Sequence, residues 1–172
     1  MEFKVLELLE DWRPQCLAIF NGIIEEGLAF PWDKPWTMTE FDAYYVPEQP
    51  VWCAVTSGDL PVSPDKKVLG FVHIKPNGVG RLAHVANCGY NISPEARGKG
   101  IGKALVAKAI EVARDMGYVG MQYNAVVSTN TIAIKLYESF GFSIIGTVPQ
   151  GFRLGSKDNP HYVNHHIMYL VL

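Results

Sequence analysis

Between an apolar run, Val85 to Ile92, and a helix-patterned run, Ile101 to Met116, the chain reads Arg97-Gly98-Lys99-Gly100-Ile101-Gly102. This turn constrains the fold more than any other stretch. At a helix start the backbone N–H groups have no helical acceptor, and the macrodipole adds partial positive charge. Glycines let that backbone approach an anion closely. The turn therefore reads as a pyrophosphate cradle set between a strand and a helix. Two familiar cradles fail on spacing. A P-loop requires Gly, four residues, then Gly-Lys-Ser/Thr, but Gly102-Lys103 is followed by Ala104 and preceded five positions back by Arg97. The dinucleotide fingerprint G-x-G-x-x-G fails because Lys103 stands where its last glycine belongs.

What fits is Arg-x-x-Gly-x-Gly followed, about one strand later, by Asn130-x-x-Ala133-x-x-Leu136-Tyr137-x-x-x-Gly141-Phe142. At these residues the chain resembles the GCN5-related N-acetyltransferase superfamily, well over residues 68–172 and loosely before them. The resemblance implies an α/β (α+β) fold: a mixed, mostly antiparallel, twisted sheet flanked by helices, with a splay between its two central strands. It also implies acetyl-CoA as co-substrate.

Length and composition agree with one domain, 1–172, holding a sizeable core: 172 residues, 48% hydrophobic and 19% charged. A net charge of −2 leaves no polyanion footprint, so no nucleic-acid partner is expected. Cys16, Cys53 and Cys88 are odd in number and scattered, as reduced thiols of a cytoplasmic protein are. No secretory leader or membrane-length apolar run is visible. His161, His165 and His166 lack metal-ligand spacing.

Along the chain, the patterns predict a strand over Phe3–Leu9, then a helix capped by Asp11 with Cys16, Leu17, Phe20, Ile23 and Ile24 inside. An aromatic loop, Gly27–Trp36, leads to a short helix starting at Thr37 or Thr39 and ending near Tyr45. Strands are expected at Val51–Val55, Val68–Ile74 and His84–Ile92, with a polar hairpin connection over Ser57–Lys67 and a turn at Pro76-Asn77-Gly78. The main helix carries Ile101, Leu105, Ala109, Val112 and Met116 on one face and stops at Gly117. A strand Gly120–Val127, a helix Asn130–Phe140, and strands Phe142–Val148 and Val163–Leu172 complete the chain. The loop between the last two holds Gly151, Gly155, Asn159 and Pro160.

The candidate site follows from both patterns. Amides between Gly98 and Lys103 (Lys99, Gly100, Ile101 and Gly102 included) are the diphosphate ligands, with Arg97 shaping the turn and Lys99 and Lys103 adding screened attraction. Gly89 inside its strand reads either as a bulge or as a packing accommodation. The resemblance implies a bulge there, with Gly89, Tyr90 and Ile92 lying along the pantetheine arm, and a backbone N–H near Tyr90 holding the thioester oxygen. It further implies that Tyr137 protonates the departing CoA sulfur; otherwise Tyr137 is a core tyrosine on an apolar helix face. Asn130 caps its helix, and the resemblance adds a contact to the CoA arm.

Many members of the superfamily carry a glutamate on the strand before the cradle, but His84-Val85-Ala86-Asn87-Cys88 has none. The base is then ordered water tuned by His84 or nearby polar groups, or the amine binds already neutral. Asn87 and Asn124 each sit mid-strand in apolar surroundings, where an amide needs hydrogen bonds. The resemblance implies that these two strands flank the thioester, and an asparagine pair facing it suits an amino acid acceptor, donating to its carboxylate and accepting from its amine; otherwise each pairs only with neighbouring backbone. The His84-x-x-Asn87-x-Gly89 pattern with Asn124 and Asn130 is similar to the fungal L-azetidine-2-carboxylate (proline-analogue) N-acetyltransferases. Glu25, Glu26, Phe30, Trp32 and Trp36 correspond to the acceptor-side loop, with Glu26 placed to attract an amine, or else form a small core under the loop.

Three function classes follow. The first is an N-acetyltransferase acting on a small-molecule amine by direct attack in a ternary complex, with protein N-termini or lysines as alternative acceptors. The second is an acyl-CoA sensor without turnover. The third is a purely structural protein, which the two ordered motifs disfavour. Superfamily members often pair through their last strands, which implies a homodimer.

Overall fold

The computed structural model describes residues 2–45, 49–57, 63 and 65–172. Its strands are β1 (Phe3–Glu7), β2 (Val51–Thr56), β3 (Val68–Pro76), β4 (Val85–Ile92), β5 (Gly120–Val127), β6 (Ser143–Leu154) and β7 (His161–Val171). They form one seven-stranded sheet in the order β1-β2-β3-β4-β5-β7-β6. Each neighbouring pair is antiparallel except β4–β5, which is parallel. Helices α1 (Arg13–Glu26) and α2 (Met38–Tyr45) cover one face, and α3 (Ile101–Asp115) and α4 (Thr131–Glu138) the other. The expected mixed, mostly antiparallel α/β architecture is thus the observed one. No described helix is long and apolar enough to cross a membrane.

A core lies on each side of the sheet. Against α3 pack Leu69, Val72, Ile74, Ala86 and Met121 with the helix residues Ile101, Leu105, Val106, Ala109, Ile110 and Ala113. These helix positions follow the 3.6-residue period, which is why one stripe meets the sheet. The stripe is rotated from the expected one: Met116 caps the helix C-terminus and is 48% exposed. The opposite core is aromatic. Phe20 meets the rings of Phe30, Trp32, Trp36, Phe41 and Tyr45 at centroid distances of 4.7–6.2 Å. That geometry favours edge-to-face contact of the ring quadrupoles.

Local chemistry explains most element ends. Thr37 starts α2 through a capping box: Glu40 N–H donates to Thr37 Oγ1, and the Thr37 N–H and hydroxyl donate to Glu40 Oε2 at 2.7 and 2.8 Å. Asp11 does not cap α1. It sits in a 3-10 turn, Glu10–Trp12, and α1 begins at Arg13 with Pro14 in its first turn and no side-chain cap. The connection after Ser57 is described only at 63 and from 65 onward, so the expected turn residues Gly58, Pro61 and Pro64 lie outside the described residues. The expected loop at Gly151 is strand instead. Strand β6 runs on to Leu154 by bulging between Val148 and Phe152, where Gln150 takes φ 51° and its N–H donates to Asn164 Oδ1. All three cysteines are free and buried.

Candidate active site

The β4–β5 ladder has only two rungs, Val85↔Gly120 and Ala86↔Met121. Beyond them each strand stays paired on its outer edge, β4 with β3 to Ile92 and β5 with β7 to Val127. The sheet therefore opens into a wedge between its two central strands. Which backbone groups face the wedge follows from the outer ladder. Asn77 N–H donates to Val85 O, and Ser93 N–H to Leu69 O. In an antiparallel ladder alternate residues turn both N–H and C=O toward the same neighbour. The register from Gly70↔Ile92 to Pro76↔Ala86 is continuous. Residues 85, 87, 89, 91 and 93 thus spend their backbone groups on β3, and Cys88, Tyr90 and Ile92 present theirs to the wedge.

This corrects one expectation: β4 has no bulge at Gly89. The bulge is on β5, between Tyr123 and Val126, and carries Asn124 and Ala125. Gly89 is required for a different reason. A Cβ there would stand 2.7 Å from His73 Cε1 and 3.4 Å from Phe30 Cε1, so the glycine admits the imidazole between the sheet and the aromatic loop.

A cavity of about 390 Å³ opens at the wedge. On the α3/α4 face its walls are Tyr90, Tyr123 and Tyr137. Tyr90 and Tyr123 share a 2.6 Å hydroxyl–hydroxyl hydrogen bond across the gap, and the Tyr137 ring lies 4.5 Å from that of Tyr123. Burial pushes the Tyr137 phenol well above its ordinary range, so it stays protonated. Burial also raises the neighbouring Cys88 thiol to about 12.

On the opposite face the wedge is tied by amides. Asn87 Nδ2 donates to Gln122 O at 3.0 Å, supplying the rung the diverging backbones no longer make. It also donates to Asn77 Oδ1 at 2.9 Å, and Asn124 Nδ2 donates to the same oxygen at 2.7 Å. Gln122 Nε2 donates to Asn124 Oδ1. Asn87 and Asn124 do converge at the cavity, but they are not buried: Asn87 is half-buried and Asn124 exposed. Asn77, read from sequence only as a turn residue, is the acceptor that joins them.

Beyond the amides, β3 contributes His73 and Lys75, and the loop contributes Phe30 and Trp32. Sequence reasoning missed His73 and Lys75. The available signal was the polar alternation His73, Lys75, Asn77 in an apolar strand, which puts all three on one face. His73 is 2% exposed, and neither ring nitrogen has a hydrogen-bond partner among the described residues. Burial, with the Lys75 charge second, pushes its pKa down to about 3. It is held neutral. His84 is exposed and lies outside the cavity walls.

The cradle is built as the glycines require. Gly98 and Gly100 take φ 73° and 83°, with no described atom near the position a Cβ would fill. Gly100 is the N-cap of α3, no side chain caps it, and Ala104 N–H makes the first helical bond to Gly100 O. The N–H groups of Ile101, Gly102 and Lys103 precede that bond and have no helical acceptor. Gly102 lies where a Cβ would meet Ile92 and Leu136 at 3.1 and 3.2 Å, fastening α3 to β4 and α4. Arg97 and Lys99 bond within the protein: Arg97 Nη2 donates to Glu26 Oε2 at 2.8 Å, and Lys99 Nζ to Glu95 O. Lys103 is exposed. Glu26 is therefore spent on Arg97, and it lines a separate, open cavity together with Glu25. Asn130 caps α4 by accepting from Ala133 N–H at 3.2 Å, and both residues line the wedge cavity with Tyr137. Trp36 packs on Phe20 and Trp32.

Comparison with known proteins agrees with this geometry. The profile of the acetyltransferase (GNAT) family matches residues 9–142. The chain is 31% identical over 156 residues to the N-acetyltransferase aca1 of Schizosaccharomyces pombe, covering 86% of this chain and 74% of that protein. A GCN5-related N-acetyltransferase from Kribbella flavida superposes with a TM-score of 0.87 at 33% identity, over 99% of this chain and 98% of its own. The fold is also that of yncA from Salmonella typhimurium, a putative acetyltransferase solved with its cofactor acetyl-CoA (TM-score 0.83, 20% identity, 98% and 93% covered). An ordered glycine cradle, a wedge between central strands and a tyrosine beside it thus meet in one chain, which belongs to the GNAT family and is an N-acetyltransferase.

Proposed function

We propose that this protein transfers acetyl from acetyl-CoA to the amine of a small molecule, by direct attack within a ternary complex. The observation that carries the reading is the wedge after Ala86/Met121, because it leaves the Tyr90 backbone amide without a strand partner. The CoA diphosphate rests on the amides from Gly98 to Lys103. The pantetheine runs along Ile92 and Tyr90 as an added strand, with Asn130 against the arm. The Tyr90 N–H donates to the thioester oxygen as negative charge gathers there. The amine nitrogen forms a bond to the acetyl carbon, and the carbon–sulfur bond breaks. The amine gives up one proton and the departing sulfur takes one.

Tyr137 is the group beside that sulfur. Its phenol is a weaker acid than an exposed tyrosine, so transfer to an ordinary thiolate would be uphill. The CoA sulfur leaves into these same buried surroundings, where desolvation disfavours a thiolate as well and narrows the mismatch. On the amine side no described carboxylate lines the cavity. His73 is too weak a base at about 3, and His84 stands outside. The amine therefore enters neutral and its proton leaves to water.

The acceptor is small, in keeping with a cavity of about 390 Å³ lined by the aromatic loop and the amides. The convergence of Asn77, Asn87 and Asn124 supports an amino acid or proline analogue, in keeping with the similarity to the fungal L-azetidine-2-carboxylate enzymes. Free, buried thiols suit the cytoplasm. The edge strand β6, with Ile145 60% exposed, supports a homodimer built through the last strands; sedimentation at micromolar concentration tests it, and a monomer there refutes it.

The deciding assay is CoA release from acetyl-CoA with a panel of amines. Turnover above hydrolysis with at least one small amine is expected, and Tyr137→Phe should lower kcat about 100-fold. No acceptor-dependent turnover, or an unaffected Tyr137→Phe enzyme, refutes the mechanism.

A further inference from the structure

The acceptor side of the cavity has a sign. Among the described residues Lys75 is the charged side chain lining it, and no described carboxylate lines it. The acids nearest in sequence to the aromatic loop are engaged elsewhere: Glu26 with Arg97 at 2.8 Å, and Asp33 with Arg153 and Lys157 at 3.4 and 3.2 Å. Lys75 is held in place by an aromatic neighbour. Its Nζ donates to the Tyr44 hydroxyl at 2.6 Å and stands 4.1 Å from the centre of the same ring. An ammonium has three donors, and this contact uses one of them among the described residues. Half-buried and fixed, the cation keeps little of the rotamer entropy that weakens exposed lysine pairs.

Register then sets what stands beside it. Lys75 lies opposite Asn87 in the β3–β4 ladder, on the face shared with His73 and Gly89. Side chains at directly opposed positions lie about 5 Å apart at Cβ. Lys75 and the amide cluster therefore line one cavity, with Phe30 and Trp32 as its apolar wall.

We propose that Lys75 is the specificity-determining residue of this enzyme: it pairs with a carboxylate on the acceptor, so the amine acetylated is that of an amino or imino acid. This rests on the acetyltransfer reading above. The amide cluster receives the amine end, Lys75 holds the carboxylate, and the aromatic wall covers the short apolar body between them. The same charge opposes polyamines and lysine side chains, because a second ammonium in the cavity meets Lys75 with no acid among the described lining residues to offset it.

Steady-state CoA release tests this with charge-matched acceptors: L-azetidine-2-carboxylate, L-proline and L-alanine against the carboxamide of each, and putrescine. Each is run on wild type, Lys75→Met and Lys75→Arg. For wild type, at least one amino acid should exceed its own carboxamide in kcat/KM. In Lys75→Met, KM for that amino acid should rise about 30-fold with kcat within a few-fold, and the carboxamide should be unaffected. Lys75→Arg should recover much of the loss. Equal damage to acid and carboxamide overturns the proposal, as does a wild type that prefers carboxamides or putrescine; acetyltransfer to amines survives either result. Absence of turnover with every acceptor removes the acetyltransfer reading itself, and the proposal with it. Calorimetric acetyl-CoA binding, equal in the three proteins, shows that the variants fold.

Discussion

The buried imidazole of His73 gives the protein an acid-side weakness that can be calculated. In the folded chain its pKa is about 3, against an ordinary 6.5. The unfolded chain therefore binds one more proton between those values. Stability rises with pH wherever the unfolded state binds more protons, so this contribution is complete above pH 6.5 and drains away as pH falls toward 3. The slope is about 1.4 kcal/mol per pH unit, which integrates to about 2 kcal/mol between pH 7 and pH 5. For a domain of ordinary stability, about 5–15 kcal/mol, that is a large share. The perturbation is His73→Phe, which keeps a ring in the slot over Gly89 and removes the titration. Urea unfolding followed by tryptophan fluorescence at pH 7, 6 and 5 reads the difference. Histidines common to both proteins cancel in the comparison. Wild type should lose about 2 kcal/mol more than the variant over this range. Parallel losses in the two proteins would refute the reasoning and mean that His73 is charged or solvated in the fold.

Other consequences are equally specific. Gly100→Ala forces a side chain into φ 83°, which costs roughly 1–2 kcal/mol; the melting temperature should fall and acetyl-CoA affinity, by calorimetry, should weaken about tenfold or more. Asn77→Ala removes the oxygen shared by Asn87 and Asn124. It should cut acceptor kcat/KM with little change in acetyl-CoA binding, and a double-mutant cycle with Asn87→Ala should be non-additive by about 0.5–3 kcal/mol. Phe20→Ala empties the centre of the aromatic core and should cost about 3–5 kcal/mol in urea unfolding.

Much of this was legible in the chain because it is local. Gly98 and Gly100 announce the cradle turn, Asn130 announces a cap, and Thr37 is one of the two threonines that announce the start of α2. The α3 stripe was found by period, but its rotation was not, since Met116 belongs to the helix end and sequence does not mark where the last turn faces solvent. The unread parts are non-local. The resemblance implies the splay between the central strands, but the bulge that β5 makes at Asn124 and Ala125 carries no turn signal in the sequence. Asn77 looked like turn chemistry because its role as a shared acceptor exists only once β3, β4 and β5 are side by side. Glu26 looked free to attract an amine because Arg97, its partner, is 71 residues away in the chain. The polar alternation of His73, Lys75 and Asn77 was readable in principle, and an apolar strand broken on one face is the signal to seek.

The central claim is that the uncapped start of α3 holds a diphosphate and so aims the attached sulfur into the wedge. Isothermal titration of the wild-type protein with CoA and with S-acetylpantetheine, which keeps the arm and lacks the diphosphate, tests it most directly. The account predicts that CoA binds at least about 100-fold more tightly, a difference of about 2.7 kcal/mol. Equal affinity for the two, or no binding of CoA, would contradict it.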